Sequence, residues 1–169
     1  IYKRRGKIIA TCKWCEKSGL FLRVSNNGLC GNCEQIVSAD IEIIKKQIIE
    51  SIDLIQNSNN TDTIVNRYEF LVEKLSHFEK YEEKGIKTIP NYYQVYQNYT
   101  LPNKRDKLII EGVEREYKKY LVELSRLKTN RGKYEKLIKF ENRLGNLKSH
   151  LDFPESLFEF ESEISQAKE

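Results

Sequence analysis

Proline and glycine are scarce in this chain, whose 169 residues hold only 3 Pro and 8 Gly. All-β folds spend such residues at every reversal, so the shortage argues for long helices instead. No apolar run approaches the ~20 residues that span a bilayer. The basic opening Ile1-Tyr2-Lys3-Arg4-Arg5-Gly6-Lys7 is not followed by the apolar stretch of roughly 7–15 residues that a signal peptide needs. The first residue is Ile rather than Met, which leaves the chain open to being a piece of a longer protein. Cysteine is absent after Cys33, whereas a secreted disulfide scaffold would spread its bridges through the domain. A reducing, cytoplasmic home is expected, without membrane association.

Catalytic signatures are missing too. His77 and His150 each stand alone in a helical pattern, without a Cys or carboxylate at a ligand spacing. Acidic groups such as Glu82-Glu83 and Glu159, Glu161 and Glu163 sit in charged stretches, not in apolar surroundings that would tune a general acid. There is no Gly-rich phosphate loop, nucleophile elbow or metalloprotease helix. No enzymatic activity is expected.

What is present is charge in blocks. Charged residues make up 32% and hydrophobic ones 39% of the chain, a balance that suits narrow apolar stripes. The net charge of +4 conceals an alternation: residues 1–35 carry +5, 36–102 carry −3, 103–148 carry +7 and 149–169 carry −5. A uniformly basic nucleic-acid binder would not divide its charge this way.

The sharpest motif is Cys12-Lys13-Trp14-Cys15, fourteen intervening residues, then Cys30-Gly31-Asn32-Cys33. Two Cys-x2-Cys knuckles at this separation offer four thiolates to one tetrahedral ion, as Zn²⁺ prefers. Cys12, Cys15, Cys30 and Cys33 are therefore expected to hold one structural Zn²⁺, with no position left open for catalysis. Leu20-Phe21-Leu22-Arg23-Val24 reads as a strand, Ser25-Asn26-Asn27-Gly28 as a turn, and a long helical pattern begins at the second knuckle. Knuckle, hairpin and helix resemble a treble-clef zinc finger over about residues 10–45. The spacing is also similar to that of nuclear-receptor DNA-binding fingers. The helix that would enter the groove nevertheless opens Glu34-Gln35-Ile36-Val37-Ser38-Ala39-Asp40, with no Lys or Arg before Lys45, so base reading by it is not expected. Lys3, Arg4, Arg5, Lys7, Lys13 and Arg23 remain candidates for gripping phosphates without sequence preference. Trp14 is a candidate to stack on a base, or to pack on its own finger.

After the finger, apolar residues follow helical spacing. Four stripes appear: Ile41, Ile44, Ile48 and Ile55; Ile64, Tyr68, Leu71, Leu75 and Phe78; Ile110, Val113, Tyr117, Tyr120, Leu124 and Leu127; Leu137, Phe140, Leu144, Leu147 and Leu151. Their alternating steps of three and four suit coiled-coil-like packing. The predicted fold is mainly α: a finger module over 1–38, then a helical domain over 39–169. That domain comprises antiparallel hairpins over about 36–86 and 103–150, a Tyr- and Pro-rich connector over 87–102, and a short helix over about 154–168. Thr63–Val72 can be laid over Thr129–Ile138, which raises the question of an internal repeat. The functional expectation is a non-enzymatic, zinc-binding interaction or scaffold module, with an unidentified protein partner or a second copy of the chain. The alternative is a nucleic-acid-associated protein using the basic arm and the basic hairpin 103–148 as a phosphate track.

Overall fold

A computed structural model describes residues 9–152 and Ser162. Lys3, Arg4, Arg5 and Lys7, and all but Ser162 of the helix expected over 154–168, lie outside the described residues. Among the described residues the chain forms a two-stranded antiparallel hairpin, β1 (Ala10–Thr11) with β2 (Ser18–Gly19). Five helices follow: α1 (Gly31–Asn57), α2 (Thr61–Glu82), α3 (Tyr92–Thr100), α4 (Lys104–Ser125) and α5 (Asn130–His150). None of them is long and apolar enough to cross a membrane. The expectation of a mainly α chain with a short N-terminal hairpin is met.

The chain divides into two compact units, Ile1–Ser51 with Phe70–Tyr99, and Ile52–Glu69 with Thr100–Glu169. The first contains the finger. There α1 buries Cys33, Val37, Ile41, Ile44 and Ile48 at steps of three and four, the period of one helix face. From α2 come Leu71, Leu75, Phe78 and Tyr81, all buried. The Tyr81 hydroxyl donates to Asp40 of α1, which fixes the register of the two helices. The expected connector is itself partly helical, because Asn91 adopts a left-handed conformation (φ 56°) and its carbonyl accepts from Val95 to start α3. Tyr92 opens that helix, packs edge-on against Phe78 at 6.4 Å, and donates its buried hydroxyl to the Leu75 carbonyl at 2.8 Å.

In the second unit α4 and α5 form an antiparallel hairpin across a four-residue link. The ion pairs Glu123–Lys136 and Glu116–Arg143 show the opposed direction, since one partner's number rises as the other's falls. A core of Val65, Ile109, Val113, Tyr120, Leu137, Phe140, Leu144, Leu147 and Leu151 lies between them and the start of α2. The expected α4 stripe faces this core, with Val113 and Tyr120 buried in it, though the most deeply buried face is shifted slightly. Leu108 and Ile109 are buried, Ile110, Tyr117 and Leu124 are only partly covered, and Leu127 is exposed beyond the end of the helix.

Candidate metal centre

The hairpin differs from the one read in the sequence. Leu20–Val24 is not a strand; the paired strands instead flank the first knuckle, Ala10 opposite Gly19 and Thr11 opposite Ser18. The chain turns straight after β2, with Leu22 N–H donating to the Gly19 carbonyl at 3.4 Å, so Leu20 and Phe21 have no neighbouring strand. Only the isolated bridge Val24–Cys30 remains of the expected pairing.

These turns deliver the four thiols. The first knuckle closes through Cys12 N–H to the Lys17 carbonyl and Glu16 N–H to the Cys12 carbonyl, each 2.9 Å, with Glu16 at a left-handed φ of 62°. The second is approached by the turn at Ser25, whose hydroxyl accepts from Asn27 and Leu29 N–H and donates to Glu34. Gly28 sits there with φ 77°, and a Cβ would come within 2.8 Å of the Lys13 side chain, so both conformation and space call for glycine. Lys13 N–H bonds the Gly28 carbonyl at 2.9 Å and locks one knuckle to the other. Cys30 precedes α1 and Cys33 lies in its first turn, where Glu34 N–H takes the Cys30 carbonyl at 2.8 Å.

The ligand atoms of Cys12, Cys15, Cys30 and Cys33 all lie within 4.8 Å of one another, with Cys15 Sγ and Cys30 Sγ 3.8 Å apart. All four cysteines are free of disulfides; Cys12, Cys30 and Cys33 are buried and Cys15 is exposed. The Cys12 sulfur accepts the Cys30 N–H at 3.3 Å. Burial works to raise the Cys12 thiol, but the backbone N–H groups of Cys15, Cys30 and Trp14 outweigh it and bring the group down to about 6. Burial pushes Cys33 up to about 12, and the crowding of Cys30, Cys15 and Cys12 adds to the rise. Four thiols packed this closely cannot ionise together without a cation among them. The cluster is close enough to coordinate a metal ion.

The first knuckle is seated on the end of α2. Trp14 stacks on Tyr81 with centroids 5.0 Å apart, not on its own finger. The ammonium groups of Lys84 and Lys80 lie 5.8 and 5.9 Å from the Trp14 ring, and Lys84 pairs with Glu16 at 3.2 Å. Lys13 Nζ donates to the Gly85 carbonyl at 2.7 Å. Of the two described candidates for phosphate contact, Lys13 is thus engaged within the fold, while Arg23 is exposed.

Elsewhere the fold brings together groups that sequence spacing kept apart. His77 comes within 3.7 Å of Asp40, and His150 bonds Asp62 at 2.7 Å, so neither imidazole stands alone as the sequence suggests. Asp62 also receives Arg143 at 2.7 Å, and Arg143 forks onto Glu116 at 3.0 and 3.1 Å. Partners 88 and 81 positions apart leave no local signal to find. No family model matches the chain, and no curated protein or solved structure is similar to it.

Proposed function

We propose that this chain is a zinc-binding interaction module. The cluster of four cysteine sulfurs carries the reading. Four thiolates at a Zn–S distance of about 2.3 Å stand about 3.8 Å apart around a tetrahedral ion, and the Cys15–Cys30 separation is 3.8 Å. Four such ligands fill the coordination sphere, so the metal's role is structural: it closes the finger onto the first turn of α1, in the manner of a treble clef.

Exposed apolar residues on the same unit support the interaction role. Phe21 is 96% exposed at the finger's loop, and Ile36 and Ile43 stand out from α1 at 70% and 60%. Ile36 and Ile43 are seven residues apart and so share one face of α1, and exposed apolar side chains grouped on one face suit a surface that another molecule covers. The nucleic-acid alternative has less support. In the basic hairpin six of the fourteen cations, Arg105, Arg115, Lys118, Arg131, Lys136 and Arg143, are paired with a carboxylate, which lessens the charge left for a phosphate track.

The test compares proteins captured by the wild-type chain with those captured by Phe21→Asp and Ile43→Asp, each checked for zinc content and each repeated with nuclease. An interaction module keeps its zinc in both variants and loses nuclease-resistant partners in at least one. Capture that nuclease abolishes, or that neither substitution alters, contradicts the reading.

A further inference from the structure

The four cysteines are not equivalent toward a reagent in solution. Cys15 is exposed, whereas Cys12, Cys30 and Cys33 are buried, at 0%, 9% and 9% exposure. The Cys12 sulfur is further occupied by the Cys30 N–H at 3.3 Å. A second member is singled out by distance, because Cys15 Sγ lies 3.8 Å from Cys30 Sγ. A disulfide is about 2.05 Å long, so a modest movement of the two side chains would join them. The chain has no methionine and no cysteine beyond these four, which makes them its only sulfur atoms. On the zinc-binding reading, on which this inference rests, the metal holds Cys15 as a thiolate. An accessible thiolate with a second sulfur beside it is the arrangement that peroxides oxidise reversibly.

We propose that Cys15 is a peroxide-sensitive site that joins Cys30 in a disulfide and so releases the metal. The Cys15 thiolate attacks one oxygen of hydrogen peroxide, the O–O bond breaks, and hydroxide leaves and takes up a proton as water. Cys15 is then a sulfenic acid. The Cys30 thiolate attacks the Cys15 sulfur, the S–O bond breaks, and a second hydroxide leaves and is protonated. The two sulfurs have given two electrons to one peroxide, and the site has lost two of its four ligands. The new bond closes a loop over residues 16–29 that carries Phe21, so oxidation reaches the exposed apolar surface as well as the metal.

The test uses the full 169-residue chain, loaded with zinc and freed of reductant. Hydrogen peroxide is titrated in while released zinc is read with a colorimetric chelator. Remaining thiols are then blocked and the links mapped by mass spectrometry. Trypsin cuts after Lys13, Lys17 and Arg23, which puts Cys12 and Cys15 on separate peptides and Cys30 with Cys33 on a third, where fragment ions tell them apart. Zinc should leave in step with a Cys15–Cys30 disulfide, and a thiol reductant with added zinc should restore the bound metal. Cys15→His keeps a Cys₃His donor set and should lose zinc to peroxide about tenfold more slowly, whereas Cys33→His should lose it at the wild-type rate. The wild-type link map decides the matter even if neither variant loads. Zinc that stays bound through the titration, or leaves with a different link or with sulfinic acids in place of the disulfide, would overturn this inference and leave the zinc reading standing. A reduced chain that binds no zinc would overturn both.

Discussion

His150 is an exposed imidazole at the end of α5 held by two acceptors, the Asn146 carbonyl at Nδ1 and Asp62 at Nε2. Both nitrogens can donate only when the ring is charged. The bond to Asp62 first, and the Asn146 carbonyl next, raise its pKa above the ordinary 6.5, while nearby Arg143 opposes the rise. Burial works to raise Asp62, but His150 and Arg143 outweigh it and hold the carboxyl below its ordinary 3.8. The two groups give opposite pH dependences. The His150 contribution is complete below pH 6.5 and disappears as pH rises through the raised value. The Asp62 contribution is present above pH 3.8 and disappears as pH falls through the lowered one. His150→Gln should therefore melt below wild type at about pH 5.5 and approach it at about pH 9. A gap between the two proteins that stays constant over that range would contradict the pairing. None of this was legible in the sequence, where Asp62 and His150 lie in different helices of a chain without a motif to join them.

At the scale of elements the sequence was more informative. The α5 stripe Leu137, Phe140, Leu144, Leu147 and Leu151 is buried throughout, because a helix packed on one side writes its face directly into its spacing. The α4 stripe was legible from Val113 to Leu124 but not at its start, because Leu108, Ile109 and Ile110 form an unbroken apolar run in which spacing alone cannot choose the inward face. Helix starts were hidden for a related reason. Asn60 caps α2, whereas Thr129 caps α5 by accepting from Gly132 N–H at 3.2 Å. Aligning Thr63 with Thr129 thus places the two caps three residues out of step, which weakens the case for an internal repeat. Thr129→Ala should cost about 1 kcal/mol of stability. Phe140→Ala should cost about 3–5 kcal/mol, because it empties the centre of the α4–α5 core. Denaturant midpoints of the two variants check both values; a Phe140→Ala loss no larger than that of the cap would mean that this core is not where the hairpin gains its stability.

Across the whole molecule, the four-cysteine site was fully legible because ligand spacing is local, while its seat on α2 was not. Trp14 and Tyr81 are 67 positions apart, and nothing in either sequence neighbourhood announces the other. Their stack supplies a test, since Trp14 is the chain's only tryptophan. Chelation should open the finger, release Trp14 into water and shift its emission to longer wavelength. The α4–α5 core contains no cysteine and should keep its helical signal through the same treatment. Unchanged tryptophan emission after verified metal removal would mean that the knuckle holds its place without an ion.

The central claim is one metal ion shared by both knuckles. Elemental analysis of the purified chain, beside Cys12→Ser and Cys33→Ser, tests it most directly. The expected result is one zinc per wild-type chain and a loss of stoichiometric zinc in either variant. A wild-type chain that binds no zinc under reducing conditions, or a one-to-one stoichiometry that survives both substitutions, would contradict it.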